Sequence, residues 1–314
     1  MKENQGGLIV HRGSRTERLA DVLAQQLEAQ RPANPLAAQT VVVAHPGLQR
    51  WLLGRFAHRP SPHGGHGIAA NIEMILPWQW FERTARRVLG DEALIGGAYR
   101  HEVLRWRLLM ALPTLPSTEV AAYLAGEDAA RRSFQLAEHL AGLYTQYLIY
   151  RPDWVLDWEH HPSKARSDWQ AALWRQVQAS IGRPHRAQRS AALLDALHAE
   201  GAHTDAEHAH PPLHVFGVSH LPPDVLAALQ VYSLHTQVHL YFPDPCREYW
   251  SDLRSRRFQL AQKGDPEALY YEIGHPLLVA LGRIAQDFCI TLDECDAIEQ
   301  RDPLDEAEPL ADET

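Results

Sequence analysis

The chain has 314 residues, of which 45% are hydrophobic and 22% are charged, so it is long enough to bury a sizeable core in one large or two ordinary domains. Its apolar runs fall far short of the ~20 residues of a membrane-spanning helix, and its polar start lacks the core of a signal peptide, so we predict a cytoplasmic protein without membrane contact. The formal net charge of -9 argues superficially against a nucleic-acid binder, because phosphate contact needs local Lys and Arg.

The first ninety residues alternate strand patterns with helical patterns. Residues 8–10 and 40–44 are short apolar runs, and each is followed by apolar residues at helical spacing. A loop rich in Gly, Pro and His follows at 57–66, residues 68–75 predict another strand, and Pro77 begins the next helix. Repetition of the strand–helix unit predicts a parallel α/β layer, of which residues 1–90 are the first part.

Helical patterns replace strand patterns from about residue 90 to 202. The helical signals lie at 103–112, 131–150, 169–181 and 191–198. We therefore predict a helical insertion over residues 91–205. Strand patterns return at 213–217 and 238–242, on either side of a helix at 224–229, so residues 206–286 should complete the α/β layer.

Most of the negative charge belongs to the end of the chain. Residues 287–314 contain eleven acidic residues and one Arg, and removing these from the totals of 39 acidic and 30 basic residues leaves 28 and 29. We predict that 287–314 is a solvated acidic linker or tail. The remaining cations are almost all Arg, which binds phosphate and stacks on bases better than Lys does.

The segment after the first strand lacks the residues of a nucleotide-binding loop. It has the sequence His-Arg-Gly-Ser-Arg-Thr-Glu at 11–17, with one Gly, no Gly-Lys-Ser/Thr and an acidic residue where phosphate would bind. The strand at 213–217 leads into Val-Ser-His and not into an Asp-Glu pair that could hold magnesium. We predict no catalysis and no cofactor in this chain; an autonomous ATPase or helicase with a degenerate loop is the alternative.

Other kinds of reactive site have weak support. Asp153, Asp157 and Glu159 are close in sequence, but no Lys follows at the spacing of a metal-dependent nuclease, and we interpret them as surface charges. Histidines at 58–66 and 203–210 lie in Gly/Pro/Ala-rich loops without Cys partners, and we interpret them as solvated, so we predict no metal. The three cysteines form no framework pattern, and we expect reduced thiols.

Residues 146–154 combine two tyrosines, a tryptophan, an arginine and a proline at the end of a predicted helix. Such rings and an Arg fork could grip nucleotides by stacking and phosphate contact. Tyr147, Tyr150 and Trp154 also have the spacing of a buried helical stripe, which is the commoner role. The residues alone leave both interpretations open.

Four collinear blocks resemble the N-terminal region of the RecC family, the gamma subunits of exodeoxyribonuclease V. The blocks are Phe-Gln-Leu-Ala at 134–137 leading to Tyr-Arg-Pro-Asp-Trp at 150–154, Gly-Ile-Ala-Ala-Asn-Ile at 67–72, Leu-Pro-Pro at 221–223 with Pro-Cys-Arg at 245–247, and Pro-Leu-Leu at 276–278. This family is similar in fold to superfamily 1 helicases that have lost their nucleotide site. The resemblance therefore implies an α/β, superfamily 1 helicase-like (P-loop NTPase-like, inactive) parallel sheet domain with a large helical insertion.

The resemblance also implies a non-catalytic DNA-binding subunit, or a fragment of one. In the family, RecC scaffolds a RecB helicase–nuclease and a RecD helicase, which use ATP and Mg, and it threads the 3′-ended strand through a channel where Chi is read during double-strand break repair. The expected partners are therefore single- and double-stranded DNA and RecB-like and RecD-like subunits. Carried over position by position, the expected DNA-binding residues are Leu76, Leu143, Gln146, Arg151 and Arg186. A scaffold fragment without DNA binding is a further alternative.

Several positions depart from the pattern of enterobacterial members. Ala44 and Pro46 stand where polar side chains would reach bases, and Gly142 and Thr145 replace acidic residues. Because a reading site distinguishes bases by its hydrogen-bonding groups, we predict a different or absent Chi preference.

Overall fold

A six-stranded parallel sheet organises one part of the fold. The computed structural model describes residues 6–34, 36–59, 69–90, 97–161, 168–199, 210–246, 249–251, 253 and 275–301. The strands are β1 (Gly7–Gly13), β2 (Gln39–Val43), β3 (Ile72–Ile75), β4 (Leu213–Phe216), β5 (Gln237–Pro243) and β6 (Ala297–Arg301), in the spatial order β3-β2-β4-β5-β1-β6. Every neighbouring pair is parallel, which confirms the predicted α/β class.

Helices link the strands and make up most of the described residues between β3 and β4. They are α1 (Thr16–Ala29), α2 (Pro46–His58), α3 (Pro77–Leu89), α4 (His101–Ala111), α5 (Thr118–Leu124), α6 (Ala129–Tyr150), α7 (Pro152–His160), α8 (Trp169–Ile181), α9 (Arg186–Ala199), α10 (Pro223–Tyr232), α11 (Pro276–Leu281) and α12 (Arg283–Asp293). The helical signals at 131–150 and 169–181 correspond to α6 and α8, whereas α5 and α7 carried no separate signal. Across the described residues, none of the helices is both long and apolar enough to cross a membrane.

The chain divides into two compact units. The sheet unit comprises Met1–Phe81, Gly201–Leu221 and Leu229–Thr314, and the helical unit comprises Glu82–Glu200 and Pro222–Ala228. The short segment Pro222–Ala228, at the start of α10, belongs to the helical unit although the sequence patterns placed it within the α/β layer.

Helices α1 and α2 cover one face of the sheet. Leu19, Leu23 and Leu27 of α1 recur at helical spacing and are buried with Leu52 of α2 against β2 and β4. The turn after β4 is tight, because Gly217 has a φ of +70° and a side chain there would meet Leu48 of α2. Glycine is the residue that adopts this conformation without steric cost. The close approach holds the start of α2 next to the end of β4.

Residues 287–301 are folded, so the prediction of an acidic linker is wrong for this part of 287–314. Phe288, Cys289 and Leu292 bury one side of α12, and β6 pairs in parallel with β1. Two of the five acidic residues of this segment share a cation partner, because Arg12 of β1 lies 2.7 Å from the Asp293 carboxylate and also pairs with Glu299. Composition alone gave no sign of this pairing. Residues 302–314 lie outside the described residues.

The helical unit has its own core, centred on α4, α6 and α8. Its largest fully buried side chains are Tyr144 and Trp174, whose rings meet edge to face with centroids 5.2 Å apart. The buried Tyr144 hydroxyl donates to the backbone oxygen of Gln170 at 2.7 Å, which satisfies its polar group. Leu104 and Leu108 of α4 pack in the same cluster. This core supports the surface on which most of the expected DNA-binding residues lie.

Candidate functional site

The aromatic-rich segment is a break between two helices. Arg151 has φ -136° and ψ 53°, outside the helical region, and Pro152 begins α7. Proline lacks an N–H and disfavours helical geometry at the preceding residue, so α6 ends here and the chain changes direction. The sequence pattern treated this segment as the end of one helix. The structure places Tyr147 and Tyr150 on α6 and Trp154 on α7.

Arg151 and Trp154 form a stacked pair at this break. The guanidinium carbon lies 3.7 Å from the Trp154 ring centroid, and Nε and Nη2 donate to the two Asp153 carboxylate oxygens at 3.1 and 2.8 Å. The Arg151 hydrogen bond lowers the pKa of Asp153. Arg151 is 44% exposed and Trp154 is 40% exposed, so both the cation and part of the indole reach solvent. The pair is a preformed cation–π surface element.

The two tyrosines of the break have different surroundings. Tyr147 is half-buried and packs against Trp154 and Trp158, with ring centroids 5.7 and 5.8 Å apart. Tyr150 is 48% exposed. Both interpretations of the aromatic pattern therefore hold in part, because Tyr147 joins the core while Tyr150 and Trp154 lie at the surface.

Leu143 and Gln146 lie three residues apart on α6, upstream of the break. Gln146 is exposed, whereas Leu143 is half-buried and packs against the core of the helical unit. Gly142 borders open space, since a Cβ added there would meet no atom within 4 Å. Gln146 therefore presents an accessible amide on the last turns of α6, five residues before Arg151.

Arg186 is engaged in a structural ion pair. Its Nε and Nη2 donate to the two carboxylate oxygens of Asp224 at 2.6 and 3.0 Å, and the Asp224 side chain is almost fully buried. The pair joins the start of α9 to the start of α10 within the helical unit. Two donors of the guanidinium are thus committed to the fold, and the expected DNA contact of Arg186 remains a prediction.

Glu159 is not a surface charge, contrary to the sequence-based interpretation. Its Oε1 accepts from Trp174 Nε1 at 2.8 Å and lies 2.7 Å from His185 Nε2, and its Oε2 accepts from Gln188 Nε2 at 2.8 Å. Burial raises the pKa of Glu159, but hydrogen bonds and the His185 charge outweigh it, so the pKa is lowered overall. Asp153 and Asp157 are exposed, as expected. Glu159 therefore ties α7, α8 and α9 together beneath the aromatic break.

Leu76 belongs to the sheet unit, apart from the four expected residues on the helical unit. It directly follows β3, and its backbone oxygen accepts from Gln79 and Trp80 at the start of α3. Ala44 and Pro46 are exposed after the neighbouring strand β2. Because parallel strands end at the same edge of a sheet, these positions share the carboxyl edge.

Trp78 also lies at the carboxyl edge and is 55% exposed. The sequence-based selection left it out. A Pro-Trp pair directly after a parallel strand is the signal that could have identified it, because such a pair starts a helix at the edge where ligands bind in open α/β sheets.

The connection after β1 is too short for a phosphate-cradling loop. Only Ser14 and Arg15 separate β1 from α1. Arg12, which comes just before this connection, is buried and lies 3.6 Å from the Asp244 carboxylate in addition to Asp293 and Glu299. Its positive charge is therefore matched by carboxylates of the protein itself.

Three buried histidines line one face of the sheet on neighbouring strands. His11 Nε2 lies 3.0 Å from His239 Nδ1, and Gln30 Nε2 lies 2.8 Å from His239 Nε2. The His239 and His214 rings are stacked 5.2 Å apart. Burial lowers the pKa of His11 and His239 to about 4 and that of His214 to about 3. These imidazoles are neutral at pH 7.

No group of three or more His, Cys, Asp and Glu side chains within the described ranges has the arrangement of a metal site. His63, His66, His203 and His208 lie outside those ranges. His58 Nδ1 lies 2.7 Å from the Gly54 oxygen of its own helix. All three cysteines are free.

Comparison with known proteins gives one consistent family. Residues 8–312 match the family described as RecC, N-terminal domain. The chain is 28% identical to the RecBCD enzyme subunit RecC of Escherichia coli K12 over 92% of this chain and 28% of that protein. It is 30% identical to the RecBCD enzyme subunit RecC of Mycolicibacterium smegmatis, over 92% of this chain and 26% of that protein. It is 25% identical to the corresponding subunit of Haemophilus influenzae, over 90% of this chain and 30% of that protein.

The chain thus spans less than a third of the length of these curated relatives. The match runs through the sheet unit and the helical unit alike, and it includes the break at Arg151 and the carboxyl edge at Leu76. The chain therefore belongs to the RecC family and corresponds to its N-terminal domain.

Proposed function

We propose that this chain is a non-catalytic DNA-binding part of a RecBCD-type exodeoxyribonuclease V, where it guides the 3′-ended strand and contributes to Chi recognition during double-strand break repair. The observation that carries the proposal is the exposed Arg151–Trp154 pair at the end of α6. An accessible indole stacks on a base, and a neighbouring guanidinium contacts phosphate. An amide one or two helical turns away can bond base edges.

The geometry gives each of these groups a distinct role. Trp154 provides a π surface, and its ring is held by the Arg151 guanidinium stacked on it and by the tilted Tyr147 ring 5.7 Å away. Asp153 holds the Arg151 guanidinium in one orientation, and the guanidinium remains accessible to solvent. The hydrogen bonds of Glu159 to Trp174 and Gln188 hold α7 against α8 and α9. Binding to this surface therefore requires little ordering of side chains, which favours affinity.

Several observations support a non-catalytic role with helicase-like ancestry. The two-residue connection Ser14–Arg15 leaves no Gly-rich loop, and Arg12 is paired with carboxylates. A parallel sheet interrupted by a helical block is the layout of a superfamily 1 motor domain, and this chain has both parts. In the proposal, ATP and Mg are used by RecB-like and RecD-like partner subunits, and this chain contributes DNA contacts and scaffold.

The residues that differ from the enterobacterial pattern determine the proposed preference for a Chi sequence. Ala44 and Pro46 present no polar side chain at the carboxyl edge, and Gly142 leaves open space on α6. Thr145 donates its hydroxyl to the Ala141 oxygen of its own helix at 2.8 Å. Fewer groups are therefore available to read base edges, and we propose a Chi preference that differs from the enterobacterial one or is absent.

The test is fluorescence anisotropy of labelled single-stranded DNA at several salt concentrations. Arg151→Ala should weaken binding and reduce the slope of log affinity against log salt by about 1, because one phosphate contact is lost. Trp154→Ala should weaken binding by about 1–3 kcal/mol, the usual contribution of one stacked base. Arg283→Ala, which removes an exposed arginine from α12, is the matched control and should change neither quantity.

Arg186→Ala also removes a structural contact, because it leaves the buried Asp224 without its partner. We expect it to lower the melting temperature, and its DNA affinity is interpretable only at temperatures where circular dichroism shows a folded protein. Salt-dependent binding that is unchanged by Arg151→Ala and Trp154→Ala would refute the proposed site. Partner-subunit binding without any DNA affinity would favour the scaffold alternative.

A further inference from the structure

A second arginine–aromatic surface lies near the start of α6, the helix that ends at Arg151. Helix α4 buries Leu104 and Leu108, and its opposite side exposes Val103, Trp106 and Met110. These residues recur at three- and four-residue spacing, so they form one stripe along the helix. Trp106 is 54% exposed, which is unusual for a large aromatic side chain with a fully formed core beneath it.

Phe134 of α6 lies next to this stripe, and Arg105 contacts both aromatic rings. The Trp106 and Phe134 rings meet edge to face with centroids 6.0 Å apart. The Arg105 guanidinium lies over both rings, 5.2 and 5.4 Å from their centroids, and donates to a Glu138 carboxylate oxygen at 3.1 Å. The two exposed rings are therefore held in fixed positions before any ligand binds.

The surroundings of the rings are positively charged. Residues 100–111 and 129–138 contain five Arg and two Glu, in a chain whose net charge is -9. Arg107 follows Trp106 on the stripe, and Arg131 lies one turn before Phe134; both are exposed. Within the described part of the chain, neither has an ion-pair or hydrogen-bond partner. Their charges are thus available to a ligand.

We infer that Trp106, Phe134, Arg107 and Arg131 form a second contact site for single-stranded DNA. The inference rests on the proposed function, because it concerns the path of the same ligand. Single-stranded nucleic acid combines exposed π faces with a regular row of negative charges, and this surface offers aromatic rings flanked by unpaired guanidinium groups. The aliphatic side chains of Val103 and Met110 would suit a protein partner as well, but the unpaired arginines beside the rings favour a polyanion.

This site is separate from the surface around Arg151. Phe134 and Gln146 lie twelve residues apart on α6, which corresponds to about 18 Å along the helix at ~1.5 Å per residue, and they point to different sides of it. A strand that touched both surfaces would gain affinity from two linked contacts. Loss of one contact should therefore weaken binding without abolishing it.

The test measures binding of the 314-residue chain to labelled oligothymidine and to an abasic oligonucleotide, each of about 15 nucleotides, a length within reach of such surfaces. Trp106→Ala should weaken oligothymidine binding about tenfold and leave abasic binding unchanged, because only the former has bases to stack. Trp106→Phe should restore most of the loss. Arg107→Ala should weaken binding to both oligonucleotides. Met110→Ala is the control from the same stripe and should have no effect.

The outcomes separate this inference from the proposed function. Unchanged affinity in Trp106→Ala, together with weakened binding in Arg151→Ala, would overturn the inference and leave the proposed function standing. A loss in Trp106→Ala with no effect of Arg151→Ala would support the inference and refute the site around Arg151. Self-association that Trp106→Ala and Met110→Ala both abolish, without any change in DNA affinity, would identify a protein contact and overturn the inference. Failure of the folded chain to bind either oligonucleotide would refute both.

Discussion

Replacing Glu159 with Ala should destabilise the helical unit by about 3–4 kcal/mol. The substitution removes the acceptor shared by Trp174, His185 and Gln188, and the first two of these side chains are fully buried. An unsatisfied buried donor costs about 1–3 kcal/mol, so three donors would cost about 3–9 kcal/mol together if no water entered. Because Glu159 retains 10% exposure, a water molecule can replace part of the carboxylate, which reduces the expected loss.

The matched control is Asp157→Ala, two residues earlier on the same helix. Asp157 pairs with His161 at 2.8 Å, but both side chains are about half exposed. An exposed pair of this kind contributes at most about 0.5 kcal/mol. The two variants thus remove the same chemical group from buried and exposed positions of α7.

The assay is urea unfolding followed by tryptophan fluorescence and circular dichroism. With a slope of about 3 kcal/mol per molar urea, the midpoint should fall by about 1 M in Glu159→Ala and by less than 0.2 M in Asp157→Ala. Equal midpoints for the two variants would show that the Glu159 network contributes no stability, and the reasoning would be wrong.

The pH dependence provides an independent check of the same network. The pKa of Glu159 is lowered in the folded chain, so its stabilising effect is present above its ordinary value of 4.5. The effect is lost as the pH falls below 4.5 through the folded value. Glu159→Gln should therefore show a smaller loss of stability in that acid range than the unsubstituted chain does.

Two further predictions concern the sheet unit. The pKa of His11 and His239 is lowered to about 4 and that of His214 to about 3. The unfolded chain therefore takes up protons first, and the stability of the folded chain should fall as the pH drops from about 6.5 towards 5. A urea midpoint that stays constant over this range would contradict the buried neutral state. Gly217→Ala should lower the free energy of unfolding by about 1–3 kcal/mol, because its φ is positive and a Cβ there would meet Leu48. Gly142→Ala should raise the free energy of unfolding by about 0.5–1 kcal/mol, because a Cβ there borders open space on α6. Similar melting temperatures for these two variants would refute that reasoning.

Much of the fold was predictable because its signals are local. The apolar spacing of α6 and α8 and the buried run of β2 depend on neighbours within a few turns or residues, and the structure has these elements close to the predicted positions. Pro152 indicates the break at Arg151, because a proline restricts the backbone of the residue before it and this effect is local as well. The resemblance to the RecC family was also accessible from sequence, and the comparisons confirm it.

The candidate site was only partly accessible from sequence. The residues around Arg151 were identified as a group, but the spacing of Tyr147, Tyr150 and Trp154 could not show which rings would be exposed. Exposure depends on Trp158 and on the packing of α7 against α8, which brings together residues that are distant in sequence. The Trp106 surface carried no comparable motif, because its rings come from two different helices.

The α/β class and the family follow from the sequence, because both rest on local patterns and short motifs. Tertiary structure alone decided the roles of the charged residues. Glu159 became a buried acceptor for α8 and α9, Arg186 became the partner of Asp224, and the acidic segment at 287–301 joined the sheet beside Arg12. The physical reason is that secondary structure follows periodic patterns of short range, whereas the environment of a charge depends on which distant side chains packing brings within a few ångströms of it.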